Sequence, residues 1–340
     1  MRILHISTKV KDNFCGVSTV VDKLFEYQSQ SNGVVLELEY IEEKDVLFKF
    51  LYLLKKLNKS DVVVFHKVFS PLSWVLMAFC LLIRIDYCVH LHGAFMPNAM
   101  RKSYYKKNII RKIFLNYLIS KSSCLFLLNT EEKKILNIKV KRCEVIPNGV
   151  DDTTYFLIEG HKENYISFLS RYDYFGKGID VLLDSIGEIK NFLTEKKVKI
   201  RMHGSFPTSL DRELIFKHVK KLNLEEIVFI GGAIYGNDKY EFLANSRLML
   251  LPSRSEGMPM VVLEALSVDT YCLVSPHCNV EEILSSCGGG DVSELTSAEF
   301  SKSIKRKVVS CRDIRTREYI FDNYSWGSIS DKYINIYRSL

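Results

Sequence analysis

Two cations and two carboxylates are the first residues here whose types and spacing could do chemistry. Arg171 and Lys177 stand in Ser170-Arg171-x5-Lys177-Gly178, after an apolar run and before a stretch of helical period. Two cations at a strand-to-helix turn can neutralise a diphosphate, and so the charge that builds on a departing nucleoside diphosphate. The plainer reading is a solvated loop carrying ordinary charges. Glu256 and Glu264 lie in Leu251-Pro-Ser-Arg-Ser-Glu-Gly-Met-Pro-Met-Val-Val-Leu-Glu-Ala-Leu266, which reads as a strand end, a glycine-containing turn and a helix. Pro259 suits the first turn of that helix, where a missing N–H costs nothing. The turn Gly257-Met258-Pro259-Met260-Val261 would then offer backbone amides to a phosphate at the carboxyl ends of the strands. Glu264 sits among Val261, Val262, Leu263, Ala265 and Leu266, and a carboxylate buried in such company is costly unless something pairs with it. Alternatively it faces solvent and merely favours the helix N-terminus. At most about 12 Å separates the two carboxylates along a fully helical span, roughly the reach of a nucleotide-sugar from ribose to hexose.

His90 and His92 lie two apart on an expected strand, so both could face one side, as core or as metal groups. A zinc site needs further ligands, and no suitable Cys or His cluster is nearby. The chain contains no Asp-x-Asp either. No metal and no cofactor is expected.

These residues must be positioned by a regular frame. Short β-branched or aromatic runs alternate with helical stretches at Ile3–Ser7, Val34–Tyr40, Asp61–His66, Tyr87–His92, Cys124–Leu128 and Glu144–Ile146. A second series follows at Tyr165–Ser170, Val198–His203, Ile227–Ile230, Leu248–Pro252 and Tyr271–Ser275. Such alternation predicts parallel sheets with helices on both faces, hence an α/β chain of two Rossmann-like domains. The seam falls at Pro147-Asn148-Gly149-Val150-Asp151-Asp152, where Asn-Gly signals a tight turn. The expected domains are 1–150 and 151–325, with 326–340 as a closing helix that places Ile329, Tyr333, Ile336 and Tyr337 near one face.

Length and composition agree. With 340 residues, 47% of them hydrophobic, the chain can bury two cores. Nine cysteines, an odd number with no C-x-x-C pair, read as reduced and mostly buried thiols. The start, Met-Arg-Ile-Leu-His-Ile-Ser, runs directly into an expected strand without a signal-peptide core, which predicts a cytoplasmic protein. The apolar run from Pro71 to Ile83 is too short to span a bilayer and reads as a buried helix. Residues 1–150 carry 23 basic against 13 acidic side chains and residues 151–340 carry 24 against 27, so the basic excess belongs to the first half.

The combination Ser170-Arg171-x5-Lys177-Gly178 with Glu256-Gly-x-Pro-x3-Leu-Glu264 resembles the family-4 (group 1) retaining glycosyltransferases with a GT-B fold. Most of the chain agrees in order, including Gly16 after the first strand, His92-Gly93, Ile146-Pro-Asn-Gly-Val-Asp151 and Tyr324-Ser-Trp326. The resemblance implies two domains facing across a cleft, the first binding the acceptor and the second the donor, with the C-terminal helix crossing back to the first. Arg171 and Lys177 would hold the donor diphosphate, Glu256 would contact hydroxyls of the transferred sugar, and Glu264 would bind the ribose hydroxyls. Gly16 would let its loop approach the phosphates, and His92 would line the reaction centre. A front-face mechanism is implied, in which the departing phosphate helps deprotonate the acceptor hydroxyl and no protein nucleophile is needed. Two departures stand out: Cys15 where the family often has a second glycine, and His203-Gly204-Ser205-Phe206-Pro207 in place of Gly-x-Gly-Pro. A GT-B nucleotide-sugar 2-epimerase and a non-catalytic nucleotide-sugar-binding protein are the alternatives.

Between Asp86 and Glu131 no acidic residue occurs, whereas Arg101, Lys102, Lys106, Lys107, Arg111, Lys112 and Lys121 are basic. Ile110, Ile113, Phe114, Tyr117 and Leu118 give the second half an apolar face, and the first half is basic all round with Tyr104 and Tyr105. Such a segment can lie against an anionic bilayer through residues 101–112, or be a solvated helix packed by one face. No nucleic-acid-binding motif accompanies it. The expected partners are therefore a nucleotide-sugar donor, a lipid-linked saccharide acceptor and an anionic membrane surface on the inner face. The expected role is bacterial surface-polysaccharide synthesis.

Overall fold

A computed structural model describes residues 1–8, 16–41, 46–101, 104–136, 138–151, 160–310 and 314–340. Cys15, Lys102, Asp152 and Cys311 lie outside the described residues, as do the side chains of Arg101, Tyr104 and Lys106. The chain divides into two compact units, Met1–Gly149 with Trp326–Leu340, and Val150–Ser325.

The first unit holds strands β1 (Arg2–Ser7), β2 (Val35–Tyr40), β3 (Val62–Phe65), β4 (Asp86–His90), β5 (Cys124–Leu127) and β6 (Cys143–Val145). All pair in parallel, in the order β2-β1-β3-β4-β5-β6. The Val62-Val63-Val64-Phe65 run is buried throughout, as a central parallel strand covered on both faces requires. The edge strand β2 instead alternates Leu and Glu and stays partly exposed. Chain order reverses at β1, so the topological switch point lies between β1 and β3.

Trp326 to Arg338 forms the closing helix and belongs to this unit, with Ile329, Tyr333, Ile336 and Tyr337 buried. Gly149 serves it by size rather than as a turn. A Cβ there would lie 2.5 Å from the Trp326 ring, and the expected Asn-Gly turn is replaced by irregular backbone. The helix Pro71–Ile83 is buried on one side only: Leu72, Leu76, Met77 and Cys80 face the core, whereas Val75 and Leu82 are exposed. The basic segment also differs from expectation. It runs as Tyr104–Ile110, a π-helical turn Arg111–Leu115 and Asn116–Ser120, and it buries Leu115, Leu118 and Ile119 while Ile113, Phe114 and Tyr117 are exposed.

The second unit holds β7 (Tyr165–Leu169), β8 (Lys199–His203), β9 (Val228–Gly231), β10 (Leu248–Leu251), β11 (Cys272–Val274) and β12 (Gly290–Val292), parallel in the order β12-β11-β10-β7-β8-β9. Strand β12 has no hydrophobic pattern to announce it. Main-chain pairing of Cys272 with Gly290 adds it to the edge. Here the switch point lies between β7 and β10, the strands that precede the two candidate motifs. Seven cysteines are free thiols among the described residues, and burial pushes those of Cys80, Cys124 and Cys278 up to about 12, which makes them unreactive.

Candidate functional site

In the second unit, the loops after β7 and β10 flank the switch point, where open α/β sheets bind ligands. Lys177 Nζ donates to Glu256 Oε1 at 2.5 Å, and Ser253 Oγ donates to the same oxygen at 2.6 Å. Both charged side chains are largely buried, at 16% and 14% exposure, so their attraction is weakly screened. Gly178 makes this closeness possible. It sits at φ +65°, and a Cβ there would lie 1.9 Å from the Pro252 carbonyl oxygen.

Arg254 ties the two loops together. Its backbone N–H donates to Gly176 O at 3.0 Å, and its guanidinium forks onto Asp180 with two bonds of 2.7 Å. It also donates to Phe175 O at 2.6 Å and lies 3.9 Å from the Phe175 ring centroid. Glu256 is pinned through its own backbone, since its N–H donates to His277 O at 2.9 Å and its carbonyl accepts from Asn279 Nδ2 at 2.7 Å. That N–H, one residue before the turn, is thereby already occupied.

Pro259 is the N-cap of helix Met260–Leu266, one residue before the helical position assigned to it from sequence. Glu264 is buried, at 7% exposure, so it does not face solvent. It accepts from Lys239 Nζ at 2.7 Å, and Lys239 comes from the helix Gly236–Ala244. Of the remaining turn residues, Met258 and Pro259 are buried, whereas Gly257, Met260 and Val261 are partly exposed. Arg171, at the end of β7, is exposed and makes no hydrogen bond or ion pair among the described residues. The fold thus joins Lys177 to Glu256, gives Glu264 a different cation, and leaves Arg171 outside both pairs. Sequence reasoning passed over Lys239, Ser253 and Arg254, because no local spacing links them to their partners.

The first unit gathers four histidines near its own switch point. Strand β4 ends at His90, two residues short of the expected Tyr87–His92, because His92 (φ +50°) and Gly93 (φ +74°) turn the chain. The two rings nevertheless face the same side, stacked with centroids 3.6 Å apart. His66 Nδ1 meets His92 Nε2 at 2.9 Å, and His5 Nδ1 meets His66 Nε2 at 2.8 Å. His90 Nε2 bonds the Tyr333 hydroxyl at 2.6 Å. Burial lowers the pKa of His5 to about 4 and of His92 to about 3, and holds His66 and His90 well below the usual imidazole value. All four rings are neutral at pH 7. Among the described residues no group of three or more His, Cys, Asp or Glu is placed to hold a metal ion.

Glu132, which sequence reasoning missed, clamps the His92 turn. Its carboxylate is buried and accepts from Gly93 N–H at 2.8 Å and from Leu128 N–H at 3.0 Å. Gly16 opens the helix Gly16–Gln28, and a Cβ there would meet nothing within 4 Å, so packing does not demand glycine. The loop before it lies outside the described residues.

Residues 156–316 match the family described as glycosyl transferases group 1. The chain is 27% identical over 243 residues to an Escherichia coli UDP-Gal:alpha-D-GlcNAc-diphosphoundecaprenol alpha-1,3-galactosyltransferase, covering 66% of this chain and 60% of that one. It is 22% identical over 213 residues to an MMP alpha-(1->4)-mannosyltransferase of Mycolicibacterium hassiacum, covering 59% of this chain and 49% of that one. The chain thus spans about half the length of the curated relatives it matches. Among solved structures, the HepE protein of Anabaena in complex with UDP and glucose superposes with a TM-score of 0.79 at 14% identity, over 100% of both chains. The architecture is GT-B, and the match to the group 1 glycosyl transferases lies in the second unit.

Proposed function

We propose that this protein transfers a sugar from a nucleotide-sugar donor to a lipid-linked saccharide or polysaccharide acceptor, with retention of anomeric configuration and without a divalent metal. The observation that carries the reading is the buried Lys177–Glu256 pair at the switch point of the second sheet, beside Glu264 and Lys239 on their own helices. In this reading Arg171 and Lys177 take the diphosphate, Glu256 the sugar hydroxyls and Glu264 the ribose, so residues 151–325 form the donor domain and 1–150 the acceptor domain. As the glycosidic bond breaks, negative charge gathers on the leaving phosphate, and fixed cations stabilise it most at that moment. That phosphate then takes the acceptor hydroxyl's proton. The E. coli relative, whose name gives UDP-Gal as donor and a diphosphoundecaprenol-linked acceptor, supports a lipid diphosphate acceptor and a role in bacterial surface-polysaccharide synthesis.

A thermal-shift screen of UDP-, GDP-, ADP- and CMP-sugars tests donor binding. The right donor at a hundred times its Kd stabilises by about 2.7 kcal/mol, while no response to any of them counts against the site. Transfer is expected to continue unchanged in EDTA. Activity that a chelator abolishes and only Mn²⁺ or Mg²⁺ restores would overturn the metal-free reading, and a product that is an epimerised donor would overturn transfer.

The same reading places the protein on the inner face of the membrane. Tyr105, Ile109, Ile113 and Tyr117 recur every four residues with exposures of 83%, 57%, 77% and 58%, forming one outward stripe. The intervening π-helical turn Arg111–Leu115 offsets the drift an α-helix would impose on that spacing. The exposed Lys112 flanks the stripe, as anionic lipid would favour. No helix among the described residues is long and apolar enough to cross a membrane. Ile113→Ser with Tyr117→Ser is expected to weaken sedimentation with phosphatidylserine vesicles by roughly tenfold or more. Transfer to a soluble acceptor analogue should change little. Undiminished sedimentation would remove the membrane surface from the reading.

A further inference from the structure

We propose that Lys239 and Glu264 form one reader for the vicinal hydroxyls of a donor ribose, the carboxylate accepting from one hydroxyl and the ammonium donating to its neighbour. Lys239 is then a specificity-determining residue for ribonucleotide donors. The inference rests on the reading of Glu264 given above and adds a partner of opposite hydrogen-bonding character. Glu264 is buried beside Val262, Leu263, Ala265 and Leu266, where a carboxylate without a partner is costly. Lys239 offsets that cost from another helix, with Nζ 2.7 Å from Glu264 Oε1.

Neither group is used up by the pairing. The ammonium has three N–H donors and gives one to Glu264. Its other neighbour is the Tyr240 ring, with Nζ 4.7 Å from the centroid, an attraction that leaves the remaining N–H bonds for a ligand. Oε2 of the carboxylate accepts nothing from the described residues and is not sealed from solvent. Free N–H donors and an open oxygen therefore stand one hydrogen bond and one carboxylate width apart. The ammonium is the more open end, with 23% side-chain exposure against 9% for Glu264. The placement in the sheet agrees. Helix Gly236–Ala244 follows β9 and helix Met260–Leu266 follows β10, so both begin at the carboxyl edge of the strands, and Lys239 lies in the first turn of its helix.

A hydroxyl both gives and takes a hydrogen bond. A carboxylate alone can only accept, so it serves the O–H bonds of a diol and leaves their oxygens unserved, and an ammonium alone does the reverse. Side by side the two groups serve both characters. Their charges also decide the ligand class. The pair is neutral as a unit, and a phosphate brought to Lys239 would meet the Glu264 carboxylate beside it, a repulsion that an uncharged diol does not suffer. Lys239 is thereby set apart from Arg171 and Lys177, to which the reading above gives the diphosphate.

The test is calorimetric titration of the full chain with UDP, GDP and ADP and with the 2′-deoxy and 3′-deoxy form of each, the tightest-binding base being carried into the variants. In the unsubstituted protein each deoxy form is expected to bind roughly tenfold or more weakly than the ribonucleotide. Lys239→Met should weaken the ribonucleotide by about the same factor. It should leave unchanged the one deoxy form that lacks the hydroxyl Lys239 serves, so that these two bind within about twofold of each other. Equal weakening of all three ligands would make Lys239 a phosphate contact. Loss of discrimination against both deoxy forms would mean that it acts only through Glu264, and discrimination kept in full would leave it a counter-charge. Each of these three results overturns the proposal. Should Lys239→Met fail to fold because the carboxylate is stranded, Glu264→Gln compared with Lys239→Met/Glu264→Gln makes the same measurement with no carboxylate to strand. Equal binding of ribonucleotide and deoxy forms to the unsubstituted protein would instead sink the ribose reading of Glu264, and no nucleotide binding at all would sink the donor site.

Discussion

Replacing Lys177 by alanine is expected to lower kcat/KM about a hundredfold or more while the protein stays folded. Two losses combine. In the proposed reading the cation that meets the leaving diphosphate is gone, and Glu256, held by Lys177 at 2.5 Å, keeps only the Ser253 hydroxyl on that oxygen. Loss should fall on kcat because the charge it meets is largest in the transition state. Lys177→Arg is not a rescue, since a planar fork replaces a point charge in a loop already crowded by the Gly178–Pro252 contact. Glu264→Gln offers the contrast. The shape is kept and Lys239 loses a buried counter-charge, so donor KM should rise several-fold with kcat nearly intact. Steady-state kinetics at saturating and limiting donor, with circular dichroism as the folding control, separates the two. Wild-type kinetics in both variants would leave these residues without a role in the reaction.

The frame of the molecule was legible because its strands are buried on both faces and carry their pattern openly. Seven of the expected runs needed only trimming at their ends, the runs expected from Ile3, Glu144 and Ile227 start or shift by one residue, and β4 stops early because two residues with positive φ follow it. Strand β12 was not legible, since three residues after a glycine pair have no periodicity and owe their state to a neighbour's backbone. The same division runs through the site. Lys177, Glu256 and Glu264 stand in local motifs, so their types and spacing could be read directly. Lys239 is 25 residues from Glu264 and Arg254 is 74 from Asp180, separations at which no sequence pattern survives. His5 and His66 looked like ordinary strand residues. Only the neighbouring of β1, β3 and β4 in one sheet turns three separate histidines into a hydrogen-bonded array.

That array should make the first unit sensitive to acid. His5, His66 and His90 are fully buried and neutral, and burial is the largest cause of each depressed pKa. In the unfolded chain each titrates near 6.5. Below that value the unfolded state binds more protons than the folded one, so stability is fully present above pH 6.5 and is lost as pH falls toward the folded values, which for His5 is about 4. Each ring contributes about 1.4 kcal/mol per pH unit inside that window, so three together remove about 4 kcal/mol between pH 7.5 and 5.5. Glu132 works the other way. Its carboxyl is raised by burial, so folding takes up a proton there at a pH where the unfolded chain has none, and near its own titration it offsets one of the three. A loss of about 4 kcal/mol is a large share of the 5–15 kcal/mol that holds a typical domain. Urea unfolding followed by the fluorescence of Trp74 and Trp326, both in the first unit, should show a midpoint that falls steeply from pH 7.5 to 5.5. His5→Leu removes one titrating ring and should flatten the slope by about a third, whatever it does to the midpoint at pH 7.5. A midpoint independent of pH over this range would mean that the four rings accept protons in place, and that the chain of neutral imidazoles does not describe the folded protein.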